Sequence, residues 1–199
     1  MKEIIFATGN EGKIREIRQI MADLDVSICS MKEAGIEVDI DENGGSFEAN
    51  ALIKARVVAA CTNQIVLADD SGLEIDWLGK EPGVYSARYG GEDTPYSIKN
   101  QMLLDRLNGV PDEKRTARFV CVIAAVLPDG RELTTRGVME GRIAHAGAGN
   151  GGFGYDPIFY LPEFGCTSAE LTAEDKNRVS HRGKALEAMK NRLIAEVWA

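Results

Sequence analysis

The sequence predicts an α/β fold, and two stretches carry that expectation. The first is Ile65 to Leu73, Ile-Val-Leu-Ala-Asp-Asp-Ser-Gly-Leu, where a short apolar run gives way to two carboxylates, a hydroxyl and a glycine. A continuous apolar run bounded in this way is what a strand covered on both faces produces, and α/β folds place ligands just beyond the carboxyl ends of such strands. The second is Glu3 to Ala7, an apolar strand that enters a glycine turn and then a helix, Glu11 to Met21, whose Ile14, Ile17, Ile20 and Met21 form a stripe at helical spacing.

A chain of 199 residues is long enough for one well-buried core, either as a single domain over its whole length or as two lobes without a linker. Its 44% hydrophobic and 27% charged residues are ordinary for a globular protein, and its apolar stretches are too short to span a bilayer. The first ten residues carry no signal-peptide pattern, so a cytoplasmic protein is expected. Cys29, Cys61, Cys121 and Cys166 are far apart in mostly apolar surroundings, which argues for reduced core thiols over disulfides or zinc. A net charge of −8 disfavours a nucleic-acid groove binder, so any bound phosphate must be met by local cations or a metal.

Between the first strand and helix lies Thr8-Gly9-Asn10-Glu11-Gly12-Lys13. A strand-to-helix turn of this kind presents backbone N–H groups and a positive helix end, which together favour an anion, and Lys13 adds a mobile charge. It is not a Walker loop, since two residues rather than four separate the glycines and Ile14 follows the lysine. A tight turn capped by Thr8 or Asn10, with Lys13 in solvent, is the structural alternative. Asp39 to Phe47 reads as a loop ending in a Ser46 N-cap, with a helix running to Ala60. On that helix Phe47, Asn50, Ala51, Lys54 and Val58 fall near one face, so Asn50 and Lys54 are inward-pointing polar candidates unless they sit at a helix edge.

Asp69 and Asp70 point to opposite sides if the strand continues through them. Two adjacent acids at a strand end suit a hard cation such as Mg²⁺, whereas Asp-Asp-Ser-Gly is equally good turn chemistry. After that turn, Leu73 to Leu78 alternates like a half-exposed strand, and Glu81 to Gly91 is a glycine-rich loop. Tyr96 to Leu107 reads as a helix stopped by Asn108-Gly109 and Pro111. Ala117 to Leu127 and Glu132 to Met139 flank Pro128-Asp129-Gly130 as a hairpin.

Gly149 to Gly154 has dinucleotide-binding glycine spacing but neither follows the first strand nor opens a helix. It instead turns into a strand through Tyr155-Asp156-Pro157, and Phe153 or Tyr155 offers a stacking face for a base, or merely packs. Thr172 to Lys176 and Ser180 to Trp198 read as helices. His181 and Arg182 stand in the first turn of the last, where positive charge opposes the helix dipole. A local rule broken there hints that function places the cations.

Six blocks, Thr8-Gly9-Asn10 with Lys13, Glu42 to Phe47 with Asn50-Ala51, Ala68 to Leu73, Ser86 to Tyr89, Phe153 to Phe159 and Ser180 to Ala185, stand in an order that resembles the inosine triphosphate pyrophosphatase family. They cover nearly the whole chain with no departure at the motif positions. The resemblance implies an elongated α/β fold, with a central mixed sheet joining two lobes, the active site in the cleft between them, and a homodimer. It also implies Mg²⁺-dependent hydrolysis of ITP, dITP and XTP to the monophosphate and pyrophosphate, clearing deaminated purines from the nucleotide pool.

Carried onto this sequence, the resemblance gives phosphate binding to Thr8, Gly9, Asn10, Glu11, Gly12 and Lys13, metal binding to Glu42 and Asp70, and proton acceptance from water to Asp70. Ser71 would contact substrate, Phe153, Gly154, Tyr155 and Asp156 would surround nucleoside and base, and Lys176, His181 and Arg182 would complete recognition. A nucleotide-binding regulatory module, which would not need the metal carboxylates, and a pyrophosphatase for modified pyrimidine nucleotides are the rival expectations.

Overall fold

The computed structural model describes residues 2–198. Among them, the elements follow in the order β1 (Lys2–Phe6), α1 (Glu11–Ile20), β2 (Val26–Ser30), α2 (Phe47–Ala59), β3 (Ile65–Ile75), α3 (Tyr96–Arg106), β4 (Thr116–Val126), β5 (Glu132–Ile143), β6 (Phe159–Leu161), β7 (Cys166–Thr167), α4 (Ala173–Val179) and α5 (His181–Glu196), with short 3₁₀ turns between. The strands form one mixed sheet in the order β2-β1-β3-β4-β5-β6-β7. Pairing of β1 with β2 and with β3 is parallel, whereas β5 with β6 and β6 with β7 are antiparallel. The α/β expectation therefore holds.

The chain divides into two compact units. One contains the residues up to Asp70, Cys121–Gly137 and those from His181 onward; the other contains Ser71–Val120 and Val138–Ser180. In the first, the apolar stripe of α1 (Ile14, Ile17) and Met21 packs with Ile4 and Phe6 of β1, Leu67 of β3, Ile123 of β4, and Leu186 and Met189 of α5. Burial of that stripe explains why a ten-residue helix holds together, since an isolated helix of this length is marginal in water. In the second, Leu73, Leu103, Phe119, Met139, Ile158 and Phe159 form a separate core, with the rings of Phe119 and Phe159 at 4.4 Å between centroids.

Two expectations are corrected. Strand β3 does not end in an Asp-Asp-Ser-Gly turn but runs on to Ile75, and the half-exposed strand expected to Leu78 gives way to a 3₁₀ turn at Asp76–Leu78. The backbone partners of this second half come from further along the sequence: Leu73 N donates to Ser86 Oγ at 2.9 Å, Ile75 N donates to Glu81 O at 3.2 Å, and Glu74 bridges to Pro82. Trp77, whose alternation suggested a strand, is 51% exposed on the 3₁₀ turn, which closes at the left-handed Gly79. β2 was not foreseen. The four cysteines are thiols, yet Cys61 is exposed while Cys121 is buried. No helix among the described residues is long and apolar enough to cross a membrane.

Candidate active site

In the first unit, β1 pairs with β3 as far as Phe6 and Leu67, and Ala7 N adds a last bond to Leu67 O at 2.7 Å. Asp69 and Asp70 lie just beyond that point, while the chain leaving β1 turns into α1. Asn10 caps the helix: its Oδ1 accepts from Gly12 N at 2.8 Å and Lys13 N at 3.2 Å, and its own N donates to Thr8 Oγ1 at 3.2 Å. The turn is thus held by the cap that the sequence offered as the alternative to anion binding. Lys13, however, is not left in solvent. Its Nζ lies 2.9 Å from Asp69 Oδ1 and 2.8 Å from Oδ2.

The two aspartates take opposite sides, as strand alternation requires. Asp69, 1% exposed, meets Lys13 and also Arg182, whose Nε lies 3.4 Å from Oδ2 while its Nη1 donates to Glu16 Oε2 at 2.8 Å. Burial alone would push the Asp69 carboxyl up, but Lys13, Arg182 and Lys54 together hold it well below the usual carboxylate range. Burial likewise disfavours the Arg182 charge, and Asp69 and Glu16 more than offset this. The Arg182 charge at the start of α5 is therefore countered within the fold by Asp69 and Glu16. That start lies hard against β5, because a Cβ on Gly137 would come within 2.0 Å of His181 O, a contact only glycine permits.

Asp70, 8% exposed, faces α2. Asn50 Nδ2 donates to Asp70 Oδ2 at 3.1 Å, and Asn50 Oδ1 accepts from Gly44 N at 2.8 Å, so one amide ties the loop carrying Glu42 to the strand carrying Asp70. Lys54 Nζ donates to Glu42 Oε2 at 2.9 Å and lies 3.7 Å from Asp70 Oδ1. Burial pushes the Asp70 carboxyl up despite Lys54 and Asn50, with Glu42 and Asp69 adding to the effect. Lys54 moves the other way relative to its burial: desolvation opposes its charge, but Asp69, Asp70 and Glu42 raise its affinity for the proton overall.

Glu42 and Asp70 thus both face the Lys54 ammonium, Glu42 at 2.9 Å and Asp70 at 3.7 Å. No group of three or more His, Cys, Asp or Glu among the described residues forms a metal site. A divalent ion held here would take two carboxylates and complete its shell with water or substrate oxygens. That donor set fits Mg²⁺, which keeps several waters and favours carboxylate and phosphate oxygen.

In the second unit, the loop of residues 149–156 is organised by Asp156. Its buried Oδ2 accepts from Phe153 N at 2.8 Å and from Lys176 Nζ at 2.5 Å, and Ser168 Oγ donates to Oδ1 at 2.8 Å. Gly152, at φ +69°, makes room for this: a Cβ there would lie 2.2 Å from Asp156 Oδ2. The Phe153 ring is 50% exposed with Lys176 Nζ 5.5 Å from its centroid. Tyr155 is buried, and its hydroxyl donates to Ser86 O at 2.6 Å, so of the two aromatics the sequence offered as stacking faces, Phe153 presents the accessible one.

The structure brings together Lys13, Asp69, Glu16 and Arg182 in one cluster, Glu42, Asn50, Lys54 and Asp70 in the next, and Phe153, Asp156 and Lys176 in the other unit. Ser71 lies in β3 immediately after Asp70, half-buried, and His181 is buried at the start of α5. Sequence reasoning assigned no role to Asp69 or Lys54, although a lysine on an otherwise apolar helix face was a visible signal. Ser168 gave none.

The Ham1 family profile matches residues 4–192. A protein of Photorhabdus laumondii named dITP/XTP pyrophosphatase is 49% identical over 191 residues, covering 95% of this chain and 96% of its own length. A protein of the same name from Clostridium perfringens is 45% identical, covering 97% of this chain and 98% of its own. The solved structure of a HAM1 protein from Coxiella burnetii superposes with a TM-score of 0.91 at 42% identity, covering 98% of this chain and 100% of that one.

Proposed function

The chain belongs to the Ham1 family, and from that premise we propose that it hydrolyses the non-canonical purine nucleoside triphosphates ITP, dITP and XTP to the nucleoside monophosphate and pyrophosphate. It is a nucleoside-triphosphate pyrophosphatase whose nearly full-length relatives carry the dITP/XTP pyrophosphatase name. The observation that carries the reading is that the Glu42 and Asp70 carboxylates face one ammonium, Lys54 Nζ, in the same compact unit as the turn that ends in Lys13.

Thr8 to Lys13 bind the phosphates. Lys13, which pairs with Asp69, exchanges that carboxylate for phosphate oxygen. Glu42 and Asp70 hold Mg²⁺, which when bound neutralises phosphate charge. Asp70, whose buried carboxyl has a raised proton affinity, accepts the proton of the water that attacks the α-phosphorus, with no covalent intermediate. Phe153 stacks on the base, with Tyr155 and Gly154 supporting the loop that carries it. Lys176, fixed by Asp156, donates to the 6-oxygen of hypoxanthine or xanthine and is left facing another donor by adenine. His181 and Arg182 complete the phosphate and base side. The enzyme acts in the cytoplasm as a homodimer, a state that light scattering of the purified protein tests.

The deciding experiment is pyrophosphate release across canonical and deaminated triphosphates. Strong preference for ITP and XTP over ATP is expected, and similar kcat/KM for ATP and ITP would overturn the assignment. Hydrolysis in ¹⁸O-water should label the monophosphate; label in pyrophosphate, or free phosphate as first product, would move the attack to the β- or γ-phosphorus.

A further inference from the structure

We infer that Asn100, on helix α3, is a positioning residue that holds the loop of Phe153 to Asp156 in its base-binding conformation. α3 lies outside all six motif blocks of the sequence. Three residues on one face of its first two turns nevertheless reach two different loops, as spacing of three and four along a helix allows. Asn100 Nδ2 donates to Gly154 O at 3.1 Å. Tyr96 packs edge-on against Tyr155 at 5.2 Å between centroids. Lys99, 1% exposed, donates its ammonium to Ala87 O at 2.5 Å and sits 4.9 Å from the centroid of the Tyr96 ring.

The second loop closes the circuit. Tyr155 donates its hydroxyl to Ser86 O, while Ser86 Oγ donates to Gly83 O at 2.6 Å and accepts from Leu73 N. Tyr155 is therefore clamped from the α3 side and from the Ser86 side, and Gly154 is held by Asn100 alone among these side chains. Gly154 adopts φ +69°, and a glycine in that region is free to leave it. The carbonyl that Asn100 holds belongs to the peptide joining Gly154 to Tyr155, and Gly154 directly follows Phe153, the exposed residue that the proposed function assigns to base stacking. A change of backbone angles at Gly154 would alter how Phe153 is set relative to Tyr155 and Asp156 and so strain the Phe153 N–H bond to Asp156 Oδ2. Among the described residues Asn100 Oδ1 is buried with no hydrogen-bond partner, and the bond to Gly154 is the one polar contact the amide makes there. A leucine of similar size would relieve that unmade acceptor and lose only the one bond.

The inference rests on Phe153 being the stacking face, and Asn100→Leu tests it. With ITP as substrate the variant should keep kcat within about twofold and its thermal midpoint near wild type, while KM rises about tenfold, the scale of a lost base–aromatic stack. In Phe153→Ala the same substitution should add nothing further to KM, because Asn100 acts through the ring that is gone. Lys99→Met, which frees the Ala87 carbonyl without touching the Phe153 loop directly, should raise KM in the same direction and serves should Asn100→Leu not fold. Wild-type KM in both variants, or KM effects of Asn100→Leu and Phe153→Ala that multiply, would overturn the inference. Wild-type protein that does not turn over ITP at all would instead refute the proposed function, in which case hydrogen exchange at the Gly154 and Tyr155 amides decides for the clamp: faster exchange in Asn100→Leu upholds it and unchanged exchange sinks it.

Discussion

Asp69 and Asp70 are neighbours in the chain with opposite electrostatic fates, and the contrast can be measured. Asp69 has its carboxyl held low by Lys13, Arg182 and Lys54 against a large burial penalty, so its contribution to stability is fully present above the ordinary aspartate range, begins to fall below it and is lost as pH falls through the lower folded-state pKa. Asp69→Asn leaves Lys13 and the buried Arg182 short of a carboxylate, which should cost about 3–5 kcal/mol at neutral pH, the range for breaking a buried pair. That deficit should begin to narrow as pH drops below about 3.9 and close only below the depressed folded-state pKa, so at pH 3 it should be partly reduced. Asp70 is raised by burial, so its charged form is a burden on the fold above its pKa, and Asp70→Asn should be as stable as wild type or more so at neutral pH. It should nonetheless lose roughly three or more powers of ten in kcat, since the residue proposed as general base and metal ligand is gone. Urea titrations of both variants from pH 7 to pH 3, beside ITP turnover, check the pair. A destabilised Asp70→Asn with residual activity and a fully stable Asp69→Asn would reverse the roles of the two carboxylates.

At the level of elements, α2 does most to assemble the carboxylate pair, through Asn50 and Lys54. Asn50→Ala would leave Gly44 N and Asp70 Oδ2 without their partner, at about 1–3 kcal/mol for each buried group left unmade. The expected result is a lower urea midpoint together with a higher Mg²⁺ concentration for half-maximal activity, because Glu42 rides on the loop that Asn50 anchors. A lowered midpoint with an unchanged Mg²⁺ requirement would show that the loop holds Glu42 without it. The sequence made part of this legible. Polar residues on an apolar helix face marked Asn50 and Lys54, and the apolar run of β3 marked where carboxylates would emerge, because both signals are local and periodic. The identity of their partners was not legible, since Glu42 precedes α2 by a loop and Asp70 follows it by a strand. The same limit explains the misplaced end of β3: Ser86 Oγ and Glu81 O, which keep its second half extended, are local to nothing in that strand. β2 escaped notice as a five-residue edge strand with a single buried residue, too little pattern to distinguish from a loop. In the other unit, glycines and aromatics announced a loop, but which ring is exposed depends on Tyr155 finding Ser86, 69 residues away.

At the scale of the whole molecule, the residues proposed for metal binding and catalysis and those proposed for base recognition belong to different compact units. Glu42, Asp70, Lys13 and Arg182 belong to the unit whose core is α1, β1 and α5, while Phe153, Asp156 and Lys176 belong to the unit whose core gathers around Phe119 and Phe159. If this division holds in function, substitutions in the first unit should slow every triphosphate by a common factor, and substitutions at Lys176 should change the ratio between bases. Glu42→Gln should therefore raise the Mg²⁺ requirement and lower kcat equally for ITP, XTP and ATP. Lys176→Met removes the donor that adenine cannot satisfy, so kcat/KM for ITP should fall by roughly tenfold to a hundredfold while that for ATP changes little, in line with about 1–3 kcal/mol for an unpaired polar group. The same substitution frees Asp156 Oδ2 for Phe153 N alone, so a circular dichroism melt must accompany the kinetics to separate loop damage from lost recognition. A Glu42→Gln enzyme with altered base preference, or a folded Lys176→Met enzyme whose ITP-to-ATP ratio is that of wild type, would mean that base choice is made on the carboxylate side, and the 6-oxygen donor would have to be sought at His181 or Arg182 in the first unit.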